Sequence, residues 1–221
     1  IKDGTKFAES ESPEVDDYVE YFAEQLTVAQ YVIHISMAKN ASKGYKNALE
    51  AAKTFDNVYV IDSGHLSSGM GLIVLQAAAY AESGMAPDSI IENLQILKNK
   101  TRTSFIVDDT RYLMHSGRIS ARVSTLCEAL MLHPVVILKN SSMKVGSILA
   151  GTRESVRKRY IKSCLNTVRP IDTKTLFITH SGLSKEELKW IEKEVCKKVT
   201  FENVIYQKAS PAISTNCGMG C

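Results

Sequence analysis

Two loops of the sequence carry serine residues directly after short apolar runs. Ser36 ends the first run and Ser42 follows in the next loop, while Asp62 and Ser63 open a glycine-rich loop after the second run. In open α/β sheets, ligands bind where the carboxyl ends of strands face the amino ends of helices, because free helical N–H groups attract anions. We therefore expect the two loops to converge at one edge of a sheet and to bind an anion through hydroxyls and backbone amides.

The second loop, DSGHLSSGMG, does not have the glycine spacing of a nucleotide site. It lacks the G-x-G-x-x-G pattern, and no Gly-Lys-Ser/Thr sequence completes a P-loop. A tight strand-to-helix turn without a ligand is the alternative interpretation of this loop. Ser42 has an alternative role too, because its position also suits the N-cap of a helix.

The histidines and cysteines lack the spacing of metal ligands. No H-E-x-x-H pattern occurs, and Cys217 and Cys221 form a single C-x-x-x-C, so we predict neither a metal nor a cofactor. The five cysteines have no paired spacing, which indicates reduced thiols in a cytoplasmic protein. One enzymatic alternative remains open: a hydrolase with Ser42 or Cys217 as nucleophile, which would require a histidine within hydrogen-bonding distance.

The composition is that of a globular protein. Of the 221 residues, 44% are hydrophobic and 23% are charged, which excludes a disordered, collagen-like or coiled-coil chain. The 27 basic and 24 acidic residues are well mixed and leave a net charge of +3, too weak a bias to predict binding to nucleic acid. The longest apolar stretch has about a dozen residues, against the roughly 20 of a membrane span, so we predict no stable membrane insertion.

Apolar runs alternate with helical patterns in the first half of the chain. Ser12, Pro13 and Glu14 predict a helix start, and Ser89 and Glu92 are spaced as a capping box. Alternating buried strands and helices indicate a parallel sheet with helices on both faces. The predicted elements are strands over 31–36 and 58–61, with helices over 42–54, up to Gly84 and from Pro87.

The pattern changes in the second half. Asp109 and Gly117 bound a short helix, and two apolar runs flank Asn140-Ser141-Ser142, which predicts an antiparallel hairpin. The other predicted elements are helices over 123–130, from Thr152 and after the Ser184–Glu187 capping box, with strands over 105–107, 175–179, 201–207 and 212–215. We therefore predict a two-domain α/β fold: a parallel-sheet, Rossmann-like domain over 1–110 and a mixed-sheet α/β domain over 111–221.

Five segments of the chain form an ordered pattern. They are ASKGYKNA (41–48), VYVIDSGHLSSGMGLIVLQAA (58–78), FIVDDTRYLMHSGRIS (105–120), LHPVV (132–136) and ISTNCGMG (213–220). In this order they resemble the DegV-like fatty-acid-binding proteins, whose motifs include L-S-G-T-Y-x-x-A, V-x-V-I-D-S-x-x-x-S-x-G-x-G and G-T-H-x-G-P-G. The order of the segments identifies the family more strongly than any one of them does.

The resemblance implies a function and a set of partners. The family has two α/β domains with a long-chain fatty acid buried between them, its carboxylate near the serine loop and the C-terminal glycine motif. It implies a cytoplasmic carrier without catalytic residues of its own, which presents the acyl group to a separate fatty-acid kinase for phospholipid synthesis. The family's usual first strand and its D-S/T loop are missing from this sequence.

The resemblance also selects site residues. The predicted ligand-binding residues are Ser42, Ser63, Asp62, Thr215 and Asn216 at the carboxylate, Arg118 near it, and Leu72, Ile73 and Leu126 along the acyl tail. Arg118, in the segment SGRIS, and Arg153 are also predicted to dock the kinase or to neutralise developing phosphate charge. An interdomain salt bridge is the alternative role for both arginines.

Four positions depart from the family pattern, and all four belong to its expected carboxylate site. They are Ala8, Glu9, Gly44 and Asn216. Burying about 14 methylenes of a fatty acid at roughly 0.8 kcal/mol each contributes on the order of 11 kcal/mol before association costs. Each lost hydrogen bond to the carboxylate costs about 1.5 to 3 kcal/mol, so the losses weaken binding without cancelling it. Glu9 would oppose an anion unless a cation such as Lys43 compensates. A degenerate family member that acts as a regulatory or interaction module is therefore the alternative.

Overall fold

The computed structural model describes residues 8–168 and 170–221. The chain divides into two compact units. The N-terminal unit consists of Glu11–Thr103 and Leu138–Lys144; the C-terminal unit consists of Ser104–Ile137 and Val145–Cys221, with the described residues up to Ser10. The domain boundary after residue 110 stays a prediction, and residues 1–7 of the first predicted domain lie outside the described residues.

The N-terminal unit is built on a parallel pair of strands. Its elements are α1 (Val15–Leu26), β1 (Val32–Ser36), α2 (Gly44–Ala52), β2 (Val58–Asp62), α3 (Ser67–Glu82) and α4 (Pro87–Lys100). β1 and β2 run parallel with Ser36 opposite Asp62, which confirms the predicted parallel sheet and aligns the carboxyl ends of both strands. One core cluster centres on Phe22 between α1 and α2, and a second centres on Ile73 between α3 and α4.

In the N-terminal unit the predicted start of α1 is shifted and the predicted capping box of α4 is wrong, whereas the predicted start of α4 at Pro87 is confirmed. The N-cap of α1 is Glu14, which forms a capping box with Asp17, so Ser12 and Pro13 precede the cap. In α4 the N-cap is Ala86 and Pro87 occupies the first turn, so the predicted Ser89–Glu92 capping box is wrong. Proline suits the first turn because its missing N–H has no helical partner there, and this preference places the start before Ser89.

The C-terminal unit contains both antiparallel and parallel strand pairs. Its elements, with the hairpin that it shares with the N-terminal unit, are β3 (Ser104–Ile106), α5 (Thr110–His115), α6 (Ala121–Ala129), β4 (Leu132–Lys139), β5 (Ser142–Ala150), α7 (Arg153–Leu165), β6 (Thr175–His180), α8 (Lys185–Cys196), β7 (Asn203–Lys208) and α9 (Pro211–Cys217). β3 pairs antiparallel with β4, β4 neighbours β5, and β6 runs parallel to β7. The α/β class with both kinds of strand pairing is confirmed.

Local signals set most of the boundaries in this unit. Asn140 and Ser141 have φ angles of +52° and +57°, as a two-residue hairpin turn requires, and Ser184 and Glu187 form the predicted capping box. The predicted strand over 212–215 is wrong, because those residues belong to α9. Its β-branched residues favoured a strand, but the Ser210 hydroxyl accepts from the backbone N–H of Ile213 and starts a helix.

Candidate functional site

The two serine-bearing loops lie side by side at the carboxyl ends of β1 and β2. The backbone N–H of Ser63 donates to the carbonyl of Ser36 at 3.0 Å, and the N–H of Ala38 donates to the carbonyl of His65 at 2.8 Å. These backbone bonds follow from the parallel register, which brings both strand ends to the same edge. The expected convergence of the loops is confirmed.

Asp62 links the two loops through its carboxylate. Oδ1 accepts from the backbone N–H groups of Lys39 at 3.0 Å and Gly64 at 2.9 Å. Oδ2 accepts from the Lys98 ammonium at 2.8 Å and the Ser141 hydroxyl at 2.6 Å. Burial raises the pKa of Asp62, but the hydrogen bonds from Lys98, Ser141 and the two backbone groups outweigh it and hold the pKa below its usual range. The carboxylate is therefore ionised, with both oxygens engaged by donors of the protein.

The serines of the two loops differ in how fully their hydroxyls are engaged. Ser63 is fully buried, and its hydroxyl donates to the carbonyl of His65 and accepts from the N–H of the same residue, both at 3.2 Å. Ser42 is half-buried, and its hydroxyl accepts from the N–H of Gly44 at 3.2 Å and donates to the sulfur of Met37 at 3.1 Å. A thioether is a weaker acceptor than a carbonyl. A ligand oxygen can therefore replace the acceptor of the Ser42 proton more easily than the acceptor of the Ser63 proton.

His65 stabilises the same loop from inside. Its ring nitrogens lie 3.0 Å from the carbonyl of Lys98 and 2.9 Å from the hydroxyl of Thr103, and burial lowers its pKa. Gly69, in the first turn of α3, packs so closely on Thr103 that a methyl group at its Cα would overlap the hydroxyl. This imidazole has the environment of a structural histidine, and its contacts hold the start of α3 against the loop.

The C-terminal motif brings together residues that are far apart in the sequence. The amide nitrogen of Asn216 donates to the hydroxyl of Ser10 at 3.1 Å and to the carbonyl of Ala212 at 2.8 Å. The hydroxyl of Thr215 donates to the same carbonyl at 3.1 Å. Two positions that depart from the motifs, Glu9 and Asn216, thus lie on neighbouring backbone segments, and Glu9 is exposed. Ser10 is a site residue that the sequence patterns do not single out, although its place beside Glu9 in an altered motif is a usable signal.

A buried charge network lies in the same unit. Asp108, two residues after β3, accepts from Arg153 at 2.8 Å and from Arg157 at 3.2 Å. Arg157 is only 6% exposed. It also donates to Glu187 at 2.7 Å and to the carbonyl of Gly220 at 3.2 Å. Arg157 lies on α7, which also carries Arg153, Lys158, Arg159 and Lys162, a pattern typical of a solvated helix face. The structure instead buries the Arg157 side chain between the segment that follows β3, the start of α8 and the glycine motif.

The remaining predicted site residues have varied surroundings. Arg118 lies at the surface, and desolvation of part of its side chain lowers its pKa. Arg153 keeps 61% of its side chain exposed while its Nε binds Asp108. Ile73 is fully buried in the core of its own unit, Leu72 is half-buried, and Leu126 is 55% exposed.

The predicted residues therefore form two groups. Ser42, Asp62 and Ser63 lie together in the N-terminal unit, with Leu72 and Ile73 on the helix that follows their loop. Thr215, Asn216, Arg118, Arg153 and Leu126 belong to the C-terminal unit. Their roles in ligand binding stay predictions.

The described residues contain neither a metal-binding cluster nor a membrane-spanning helix. Within residues 8–168 and 170–221, no cluster of three or more His, Cys, Asp and Glu side chains is arranged to hold a metal ion. No helix in the described part of the chain combines the length and the apolar character that crossing a bilayer requires.

Comparison with known proteins decides the family. The family model described as "Uncharacterised protein, DegV family" matches the chain over residues 1–221. The chain belongs to the DegV family. A DegV domain-containing protein of Caldanaerobacter subterraneus is 27% identical over 204 residues, which are 91% of this chain and 72% of that protein. A DegV domain-containing protein of Staphylococcus aureus is 25% identical over 195 residues, which are 86% of this chain and 66% of that protein.

Solved DegV structures have the same fold. One is a DegV family protein from Thermus thermophilus that is described by its fatty-acid binding. It superposes with a TM-score of 0.80 at 21% sequence identity, and the match covers 99% of this chain and 78% of that protein's chain. Another is a DegV family protein from Eubacterium eligens, loaded with heptadecanoic acid. Its TM-score is 0.83 at 18% sequence identity, and the match covers 99% of this chain and 79% of that protein's chain. The two-domain α/β class and the DegV resemblance are both confirmed.

Proposed function

We propose that this DegV protein binds a long-chain fatty acid and carries it without catalytic residues of its own. Family membership and the fatty-acid binding of solved relatives support the proposal. The observation that carries it for this chain is the Ser42 hydroxyl, which donates to the weak sulfur acceptor of Met37. A ligand carboxylate is a far stronger acceptor than a thioether, so it would take over this proton.

The C-terminal motif contributes the other donors in this proposal. Asn216 replaces the family's histidine with an amide, and the neighbouring Ser10 hydroxyl adds a group that can bind a carboxylate oxygen. Glu9 is exposed, so water and salt screen its charge from a bound anion. We assign carboxylate binding to Ser42, Thr215 and Asn216, and we assign Asp62 and Ser63 to holding the loop in place.

Lipid extraction tests the proposal directly. The purified protein is denatured, and the extracted lipids are identified and counted by mass spectrometry. We expect one fatty acid per chain, and a rise in melting temperature when palmitate or oleate is added to protein from which lipid has been removed. Protein without lipid and without a thermal shift would instead indicate an interaction module with no fatty-acid ligand.

The role of Ser42 is tested by substitution. Ser42→Ala removes one hydrogen bond to a charged carboxylate, which is worth about 1.5 to 3 kcal/mol, so the Kd for palmitate should rise roughly 10- to 150-fold. Ser89→Ala is the matched control, because Ser89 is exposed in the same unit. Equal affinities for the two variants would remove Ser42 from the carboxylate site. Within the described part of the chain, the hydrogen-bond partners of the Ser42 hydroxyl are Met37 and Gly44 and include no histidine, which is why a hydrolase with Ser42 as its nucleophile is the weaker assignment.

We further propose that the protein acts in the cytoplasm and presents its acyl group to a separate fatty-acid kinase. The surface guanidinium of Arg118 and the outward part of Arg153 are the groups suited to an acidic partner or to developing phosphate charge. The test is acyl-phosphate formation by a fatty-acid kinase supplied with ATP and the loaded protein. Arg118→Ala should lower this rate without changing the Kd for fatty acid, whereas Arg122→Ala, a nearby exposed arginine on α6, should change neither. Loss of fatty-acid binding in Arg118→Ala would place Arg118 at the ligand and not at the partner.

A further inference from the structure

Two cysteine thiols lie together at the end of the C-terminal glycine motif. Cys217 is the last residue of α9 and is 4% exposed, and Cys221 follows four residues later. Between them, Gly218 and Gly220 have φ angles of +77° and +83°, which fold the chain back on itself. The Cys221 thiol thereby reaches Cys217 and forms a side-chain hydrogen bond with it. Both sulfurs are unbridged.

The backbone holds Cys221 in this position. The N–H of Ser181, which follows β6, donates to the carbonyl of Cys221 at 2.9 Å, and the N–H of Gly220 donates back to the carbonyl of Ser181 at 2.6 Å. The buried Arg157 donates to the carbonyl of Gly220 at 3.2 Å. Three hydrogen bonds, made by the backbone of Ser181 and the side chain of Arg157, thus hold the backbone of Gly220 and Cys221 in place.

The two thiols have different acid strengths. The hydrogen bond from Cys221 lowers the pKa of Cys217 below its ordinary value, even though burial acts in the opposite direction. The same hydrogen bond, together with burial, raises the pKa of Cys221 well above its ordinary value. Cys217 is therefore the more acidic of the two thiols and the better nucleophile for a first attack, and Cys221 is the candidate resolving cysteine.

We propose that Cys217 and Cys221 form a reversible disulfide when a hydroperoxide reaches the C-terminal motif. With hydrogen peroxide, the Cys217 thiolate attacks one peroxide oxygen, the O–O bond breaks, and the departing hydroxide takes a proton and leaves as water. The Cys221 sulfur then attacks the sulfur of the resulting sulfenic acid, the S–O bond breaks, and the Cys221 proton leaves with the hydroxyl as a second water. Two thiols are oxidised and one hydroperoxide is reduced. This inference does not rest on the proposed function.

Cys164 is the competing partner. Its sulfur lies 3.5 Å from the Ser104 hydroxyl, which also contacts Tyr160, and Cys221 lies close enough to this group to affect the pKa of Tyr160. A disulfide between Cys164 and Cys221 would join two separate segments of the chain, unlike the proposed disulfide between Cys217 and Cys221. Peptide mapping separates the two, because no lysine or arginine stands between Ala209 and Cys221, and Cys164 lies in another tryptic peptide.

The experiment treats the folded protein with hydrogen peroxide, blocks free thiols and digests it with trypsin. We expect the peptide that begins at Ala209 to lose two hydrogens, to contain an internal disulfide with no second peptide attached, and to regain its mass with dithiothreitol. Oxidation of the exposed Met219 adds an oxygen atom and is distinguished by mass. The Cys164→Ser and Cys196→Ser variants should behave like the parent protein.

The Cys221→Ser variant tests the order of the steps. It removes the resolving thiol while keeping a group of similar size, so we expect dimedone to trap a sulfenic acid on Cys217 in place of the disulfide. A crosslink to Cys164, or a peptide that keeps both free thiols while Cys196 is oxidised, would overturn the proposal. Either result would leave fatty-acid binding unaffected, since that is measured by lipid extraction.

Discussion

The carboxylate of Asp62 accepts a 2.6 Å hydrogen bond from the hydroxyl of Ser141, which lies 79 positions later in the chain. Asp62 ends β2, and Ser141 lies in the turn between β4 and β5, within the stretch Leu138–Lys144 that belongs to the N-terminal unit. The same oxygen binds the Lys98 ammonium of α4. A side chain that the sequence places in a ligand loop is thus also the point where the loop, a helix and a distant turn are held together.

Asp62→Asn should destabilise the N-terminal unit. The amide keeps one oxygen for the backbone N–H groups, but its nitrogen faces the ammonium of Lys98, which is left without its counter-charge. Breaking a largely buried ion pair on one side costs several kcal/mol, and we expect the free energy of unfolding to fall by about 3 kcal/mol. Urea unfolding followed by far-UV circular dichroism measures the change.

The control for this substitution is Asp56→Asn, an exposed aspartate in the same unit, which should change the free energy of unfolding by less than about 0.5 kcal/mol. The only tryptophan, Trp190, lies in α8 of the C-terminal unit. Its fluorescence therefore reports the other unit. Equal stability of the two asparagine variants would show that Asp62 contributes no net stabilisation.

Stability should depend on pH through Asp62. Hydrogen bonds outweigh burial and keep the pKa of Asp62 below its usual range in the folded state. A lowered folded-state pKa stabilises the fold above the pKa of the unfolded chain, about 4, and this contribution disappears as the pH falls through the folded-state value. The stability difference between the parent protein and Asp62→Asn should therefore be constant near neutrality and shrink below about pH 4. A difference that grows on acidification would contradict the assignment.

Gly69 and Gly71 should respond oppositely to alanine, although both lie in α3. A methyl group at Gly69 would overlap the Thr103 hydroxyl that binds His65, and we expect a loss of about 1 to 3 kcal/mol. Among the described residues, no side chain or distant backbone atom lies within 4 Å of the Cβ position at Gly71, so alanine there should stabilise the helix by about 0.5 to 1 kcal/mol. Melting temperatures of the two variants give the sign directly, and a shared sign would refute the packing argument.

Arg157→Met should destabilise the C-terminal unit far more than the equivalent change at Lys162. Methionine preserves much of the apolar volume of the arginine stem but leaves Glu187 and the carbonyl of Gly220 without their donor, at a cost of about 3 to 5 kcal/mol. Lys162 is exposed on the same helix, and Lys162→Met should stay within about 0.5 kcal/mol. Urea unfolding followed by Trp190 fluorescence compares the two, and similar transition midpoints would mean that the network contributes little.

Local features of the sequence determined much of the fold. The Ser184–Glu187 capping box, the Asn140-Ser141 turn and the glycine that follows α3, Gly84 with a φ of +77°, all appear where the sequence predicts them. Each depends on interactions within about four residues, which the sequence displays directly. The ordered DegV segments added the family and with it the two-domain class.

Only the tertiary structure decided which side chains meet. Asn216 and Ser10 are 206 positions apart, and the partners of Arg157 come from the segment after β3, from α8 and from the glycine motif. An arginine on a basic helix has the same local pattern whether it faces solvent or a buried carboxylate. Its role is settled by the packing of whole elements, because hydrogen bonds and ion pairs act over a few ångströms of space and carry no signature along the chain.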